Sequence, residues 1–236
     1  MDKYFDHIIW GPSLEGIKKA IELKNQGKKI LLAGKFGFPG GKASEALASL
    51  FSLSSFEDNG VLEDFLHQVE ELKYGVLFRN SQWVLLHPEA VKRVCWQLIN
   101  DNNIPVLFHI IPLEIRKNKT MELEAFGREG RVVLTADEIL DCSDDRLLNN
   151  LAGTPANRDV VINSFFSDPI PAEFPGFNIT RRLETPIGQF ISMVIKNVAP
   201  DQIETTFNRE LDRLSRESWK KHQARILMVP VYPEVK

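Results

Sequence analysis

Residues Gly11-Pro12-Ser13-Leu14-Glu15-Gly16 follow a short apolar run, His7-Ile8-Ile9-Trp10. They lead into a stretch with apolar residues at 14, 17, 20, 21 and 23, the spacing of one helix face. A glycine turn between a strand and a helix offers anion chemistry. The helix start presents unpaired N–H groups and the positive end of its dipole, which together suit a pyrophosphate. The dinucleotide fingerprint at such a turn is G-x-G-x-x-G, with an acid at the end of the next strand to bind a ribose hydroxyl. Here Gly11 and Gly16 fill the first and third positions, and Ser13 stands at the second. Gly34 stands where the acid is expected. A serine side chain narrows the approach of backbone to phosphate, although its hydroxyl can donate to one. Lys35 follows Gly34, and a basic residue beside an absent acid is the arrangement that accommodates a 2′-phosphate in NADP sites. A solvated lysine at a strand end is the plainer reading of Lys35. For Gly11 and Gly16 the plainer reading is a tight strand-to-helix turn with no ligand.

Other chemistry-bearing residues are sparser. Gly40 and Gly41 close a glycine- and proline-rich loop, Phe36 to Gly41, suited to close approach of backbone to a ligand. Asp141, Asp144 and Asp145 surround Cys142 and Ser143, where a hard cation competes with a solvated acidic loop as the reading. Cys142 has no CxxC partner and reads as structural, and the five histidines show no zinc spacing, so no metal site is expected. His87 before Pro88 reads as a turn residue rather than a general base, and Arg181-Arg182 as a surface pair rather than an anion grip.

The elements that must position these residues follow from the apolar pattern. Residues 7–10, the glycine turn, a helix from Leu14 to Gln26, Gly27 and a strand at 28–33 make a βαβ unit with parallel strands. Helices are predicted over 43–53, 61–73, 88–100 and 200–223. Strands 75–78 and 82–86 flank a hairpin turn at 79–81. Residues 106–115 read as a strand pair or one strand interrupted at Pro112. A hairpin is expected over 121–135 around Gly127 to Gly130, followed by a last short strand at 138–140. Composition shifts after Gly153. Residues 154–186 hold five prolines, the first part of this stretch shows no clear period, and 225–231 form a final strand. The expected organisation is a nucleotide-binding-like domain over 1–153 and a reduced C-terminal portion over 154–236.

The 236-residue chain is 43% apolar and 26% charged, with a net charge of −3, which argues for a folded core. It lacks the bulk positive charge that duplex nucleic acid attracts, and no apolar run approaches the ~20 residues of a membrane span. No secretory leader is legible at the start, and two cysteines are too few for a disulfide scaffold. A cytoplasmic protein that binds neither nucleic acid nor membrane is expected, with a small molecule or another protein as its partner.

Residues Ile8 to Gly41 resemble the start of an FAD-dependent oxidoreductase of the glutathione-reductase-like class. Residues His87 to Gly153 resemble the next block of that family. There Pro88-Glu89-Ala90 opens a helix, a β-meander follows, and Ile139-Leu140-Asp141-Cys142-Ser143-Asp144-Asp145, with Leu151-Ala152-Gly153, stands for an "I-D-A-T-G-D" type motif. The resemblance implies an α/β fold: a Rossmann-like FAD/NAD(P)-binding parallel sheet with a β-meander and a small C-terminal portion. It implies a flavoprotein whose dinucleotide lies along Gly11, Ser13, Gly16, Gly34, Lys35, Gly40 and Gly41, with Ser143 on the far side. The departures are Ser13 for a glycine, Gly34 for the ribose acid, Asp144 for a glycine, and no recognisable substrate domain or flavin-contacting segment over 154–236. They lead to the expectation of an FAD-dependent-oxidoreductase-like protein with a degenerate site and no tightly bound FAD. The alternatives are a non-catalytic binding or assembly module and a weak NADP-type nucleotide binder.

Overall fold

The computed structural model describes residues 4–57, 60–144, 147–151, 157–171 and 174–236. In chain order the elements are β1 (Tyr4–Trp10), α1 (Leu14–Asn25), β2 (Ile30–Ala33), α2 (Lys42–Glu45), β3 (Leu50–Ser52), α3 (Gly60–Glu70), β4 (Val76–Arg79) and β5 (Trp83–Leu86). Then follow α4 (Pro88–Asp101), β6 (Val106–Leu107), β7 (Ile111–Lys117), β8 (Met121–Gly127), β9 (Gly130–Asp141) and α5 (Leu147–Leu151). The last are β10 (Arg158–Phe166), β11 (Ile179–Thr185), β12 (Gly188–Val198), α6 (Ile203–His222), β13 (Ile226–Met228) and β14 (Glu234–Val235). The chain divides into two compact units: Met1–Gly41, Asp58–Gln68 and Val91–Thr154; and Lys42–Glu57, Val69–Ala90 and Pro155–Lys236. The expected boundary at 153/154 lies outside the described residues.

The first unit is built on a six-stranded sheet in the order β6-β2-β1-β9-β8-β7. β1 lies between β2 and β9 and runs parallel to both, with Trp10 opposite Ala33 on one side and Asp141 on the other. The βαβ unit is therefore as the apolar runs predict. Parallel strands covered on both faces need unbroken apolar sequence. Ile8, Ile9, Trp10, Leu31, Leu32 and Ala33 are accordingly no more than 1% exposed. α1 lays Ile17, Ala20 and Ile21 on its buried side, with Ser13 as its cap. The fold is α/β and Rossmann-like, with β7 to β9 forming the meander.

The meander region differs from the sequence-based expectation at two points. Glu138 to Leu140 is not a separate short strand. β9 runs unbroken from Gly130 to Asp141, pairing antiparallel with β8 in its first part and parallel with β1 in its second. The interruption expected at Pro112 lies instead at residues 108–110, where His109 takes φ +57. Pro112 sits within β7, beside a register shift between Pro112 and Glu114. β7 is the edge of this sheet, which tolerates a missing N–H.

Glu124 of β8 is 5% exposed and lies between Arg131 and Arg116, the latter at 3.0 Å. Hydrogen bonding from Arg131 holds its carboxyl below the ordinary range, against the burial that opposes ionisation; the charges of both arginines add to the depression. A depressed carboxylate contributes stability that is present above the unfolded-state value of about 4.3 and is lost as pH falls through the folded value. Glu124→Gln should therefore unfold at lower urea than the natural chain near neutrality. The two midpoints should converge as pH drops below about 4. A gap that stays constant on acidification would show that the pairing contributes nothing.

The second unit holds an antiparallel sheet in the order β11-β12-β10-β13, with β14 also on β10, and a three-stranded sheet, β3-β5-β4. The hairpin turn falls at 80–82, one residue beyond the expected 79–81, and the helices α3, α4 and α6 fall close to where the sequence predicts them, a short 3₁₀ turn at Pro200–Gln202 leading into α6. The helix expected over 43–53 is a single turn, Lys42–Glu45; Leu47 at φ +51 breaks it, and Leu50 pairs in β3 with Leu85. Between 157 and 198 the chain forms three long strands, the first of them, β10, in the part without a clear period, and the final strand contracts to Ile226–Met228. β10 is buried over Val160 to Phe166, so no alternation marks it as a strand. α6 packs Phe207 and Leu214 into a cluster with Ile162, Phe166 and Ile191.

Candidate functional site

The C-terminal ends of β1, β2 and β9 meet in the first unit, where an open parallel sheet binds its ligands. Gly11 at φ +96 turns the chain out of β1, and its N–H donates to the Ala33 carbonyl at 2.9 Å. A Cβ built there would lie 2.4 Å from Ser143 N and 2.5 Å from Ser143 Cα, so the turn and the loop after β9 touch backbone to backbone. At Gly16 a Cβ would fall 2.1 Å from the Gly11 carbonyl oxygen. That glycine lets α1 pack against its own entry turn.

Ser13 is 6% exposed. Its hydroxyl donates to the Cys142 carbonyl at 2.8 Å and accepts from Gly16 N–H at 3.1 Å, capping α1. Gly40 at φ +110 donates its N–H to the Pro12 carbonyl at 2.7 Å. Gly41 at φ +53 faces Asp144 and Ser13: a Cβ there would lie 2.4 Å from Asp144 Oδ2 and 2.8 Å from Ser13 Cβ. Ser143 presents its backbone to Gly11. Its hydroxyl donates to Asp141 Oδ1 and accepts from Leu147 N–H at 3.0 Å. Gly11, Ser13, Gly16, Gly40, Gly41 and Ser143 thus come together as one cradle.

Gly34 and Lys35 sit beside it differently. A Cβ at Gly34 would lie 2.7 Å from Pro12 Cδ and 3.0 Å from Pro12 Cγ. The proline ring occupies the space that an acid at the end of β2 would enter. The Lys35 ammonium lies over the Phe36 ring, 5.3 Å from its centroid, and Phe36 stacks on Phe38.

Residue type and spacing alone do not point to Pro12 or Asp141 as parts of the cradle. Pro12 occupies a position where the fingerprint admits any residue, and only the fold brings its ring to Gly34. The carboxylate of Asp141 orients the Ser143 hydroxyl and accepts from Ser143 N–H at 3.1 Å. His109 is a third such residue: a Cβ at Gly37 would lie 2.1 Å from its Nε2. Asp145, Ala152 and Gly153 lie outside the described residues. Elsewhere, His87 Nδ1 accepts from Glu89 N–H at 3.1 Å at the start of α4, and burial lowers its pKa. Arg182 donates to the Pro171 carbonyl at 3.0 Å. Among the described residues no helix is long and apolar enough to cross a membrane.

The sequence profile of the family described as "FAD dependent oxidoreductase" matches residues 6–225. No curated protein matches. Solved structures of similar fold include AlpK, at 15% identity and TM-score 0.63, covering 98% of this chain and 53% of AlpK. The p-nitrophenol 4-monooxygenase PnpA from Pseudomonas putida DLL-E4 is 15% identical at TM-score 0.60, covering 100% of this chain and 68% of that one. The myxobacterial chondrochloren halogenase CndH, described as a variant of FAD-dependent halogenases, is 15% identical at TM-score 0.59, covering 100% and 63%. The chain thus spans from about half to two thirds of the length of these structures, and at such identities the likeness is one of fold.

Proposed function

The chain belongs to the FAD-dependent oxidoreductase family, and from that premise we propose that it is a member with a degenerate dinucleotide site, working as a binding or assembly module. The observation that carries this reading is the Pro12 ring, 2.7 Å from where a Gly34 side chain would begin. No acid stands there to hold the ribose, and the ring leaves no room for one. Two further features support it. The Ser13 hydroxyl is engaged by Gly16 and Cys142, so it is not available to a phosphate. Asp144 brings a carboxylate against Gly41, and a negative charge beside a pyrophosphate is repulsive.

The backbone of the cradle fits a dinucleotide; the side chains do not fit FAD as a tightly held cofactor. The purified protein should accordingly be colourless. Added FAD should bind, if measured by quenching of its fluorescence, with a dissociation constant on the order of micromolar or weaker. NADP+ in the same titration examines Lys35 and should show no tighter binding. A yellow preparation with stoichiometric flavin would overturn this reading in favour of a flavin-dependent oxidoreductase.

A further inference from the structure

We infer that the chain forms a twofold-symmetric dimer in which β7 pairs antiparallel with β7 of a second copy, joining two six-stranded sheets into one. The inference rests on β7 and its neighbours in the first unit and not on the flavin reading.

The six-stranded sheet ends in β6 on one side and β7 on the other. β6 is two residues long, whereas β7 runs for seven, and among the described residues no strand pairs with its outer edge. Such an edge presents backbone N–H and C=O groups without ladder partners, and another strand supplies them. β7 also borders exposed apolar side chains. Ile111 stands opposite Phe126, both 53% exposed, and Leu113 and Val133 are exposed as well. Large apolar groups gathered in the open at one edge mark a contact surface.

The charges on β7 select both the partner and the register. Ile115 packs toward the core, so its neighbours Glu114 and Arg116 project from the opposite face. Both are about half exposed and pair with each other at 2.6 Å, and Arg116 also reaches Glu124 at 3.0 Å. Antiparallel pairing about a twofold axis keeps outer face beside outer face only when the axis passes through a residue. Through Glu114 it sets that carboxylate against its own copy, and through Arg116 or Lys117 it sets cation against cation. Through Leu113 it draws in Pro112, which has no N–H to give. Through Ile115 it sets Glu114 opposite Arg116 of the second copy twice over, as the symmetry requires. Each charge keeps its partner within the chain and gains one across the axis, which makes a ring of four alternating charges. The same register lays Leu113 opposite Lys117 and Ile111 opposite Lys119 of the second copy. Lysine stems cover apolar surface while their ammonium groups stay in water. Pro112 falls beyond the paired segment, Leu113 to Lys117.

That segment is a small interface, so dimerisation should depend on concentration, with a dissociation constant on the order of micromolar. Sedimentation of the full chain across that range should show the mass rising from one copy to two. Glu114→Arg and Arg116→Glu each place like charges across the axis and should weaken the dimer about tenfold or more. An equimolar mixture of the two variants restores opposite charges at both positions and should dimerise as the natural chain does. Recovery on mixing separates the interface from damage to the fold, because two misfolded chains do not repair each other. Hydrogen exchange needs no variant: in the natural chain, protection over 113–117 should grow between low and high concentration. A natural chain that stays monomeric to about 1 mM, a mixture no more dimeric than its parts, or a dimer with unchanged exchange over 113–117 would each overturn the proposal.

Discussion

Gly11→Ala should destabilise the first unit by about 4 kcal/mol or more, one of the largest effects a single methyl group can have. Two costs combine. A non-glycine residue at φ +96 is strained by roughly 1–3 kcal/mol. The new Cβ would also lie 2.4 Å and 2.5 Å from Ser143 N and Cα and 2.7 Å from the Cys142 carbonyl carbon. These are backbone atoms and have no rotamer to yield. They are held by Cys142 N–H donating to the Trp10 carbonyl at 2.7 Å and by Ser13 on the Cys142 carbonyl, so the loop after β9 cannot step aside. Gly27→Ala is the control. Its φ is +77 and nothing lies within 4 Å of its Cβ position, so only the backbone cost of about 1–2 kcal/mol applies. Urea unfolding of both variants measures the difference. Equal losses would mean that the turn and the loop are not in contact.

The same contacts explain what was legible in the sequence. Strand, glycine turn, helix and strand could be read because each signal is local: an apolar run, a helical stripe, a glycine after Gln26. Spacing alone points to Gly11 and Gly16, and the fold gives each a close backbone contact. The course of β9 was not legible. Periodicity marks a strand but not its partner, and this strand exchanges β8 for β1 near Ala136 without a break. Residues 160–166 hid β10 for the opposite reason: burial on both faces removes the alternation that betrays a strand. At Leu47 a branched residue with good helix propensity takes φ +51, and tertiary packing of its side chain into the cluster around Phe165 prevails over local preference. At the site the gap was specific. The absent acid at Gly34 was evident from position, whereas its cause, the Pro12 ring, is a meeting of two loops that no local pattern encodes.

That meeting makes Gly34→Glu by itself a poor repair and the pair Pro12→Ala with Gly34→Glu a good one. Gly34 alone invites the simple expectation that restoring the acid restores the ribose contact. The geometry says otherwise. The Pro12 ring is rigid, with Gly11 N–H bonded to Ala33 on one side and its own carbonyl accepting from Gly40 at 2.7 Å on the other. A Cβ 2.7 Å from Cδ must therefore push the turn or distort the end of β2. Overpacking of this kind costs about 1–3 kcal/mol, so the single variant should lose stability and gain no FAD affinity. Pro12→Ala removes Cγ and Cδ, the two atoms in the way, yet supplies no acceptor and should leave FAD binding where it was. Only the double variant has both space and charge. Hydrogen bonds from ribose hydroxyls to a carboxylate contribute about 1.5–3 kcal/mol each before desolvation, so a gain of roughly ten- to a hundredfold is expected. Flavin fluorescence titration of the four proteins gives the cycle, and the gain should reside almost wholly in the coupling between the two positions. A Gly34→Glu single variant that binds as tightly as the double would show that Pro12 is no obstacle. A double variant without gain would place the obstruction elsewhere, and Asp144→Gly, which removes the carboxylate facing Gly41, is then the change to combine with it.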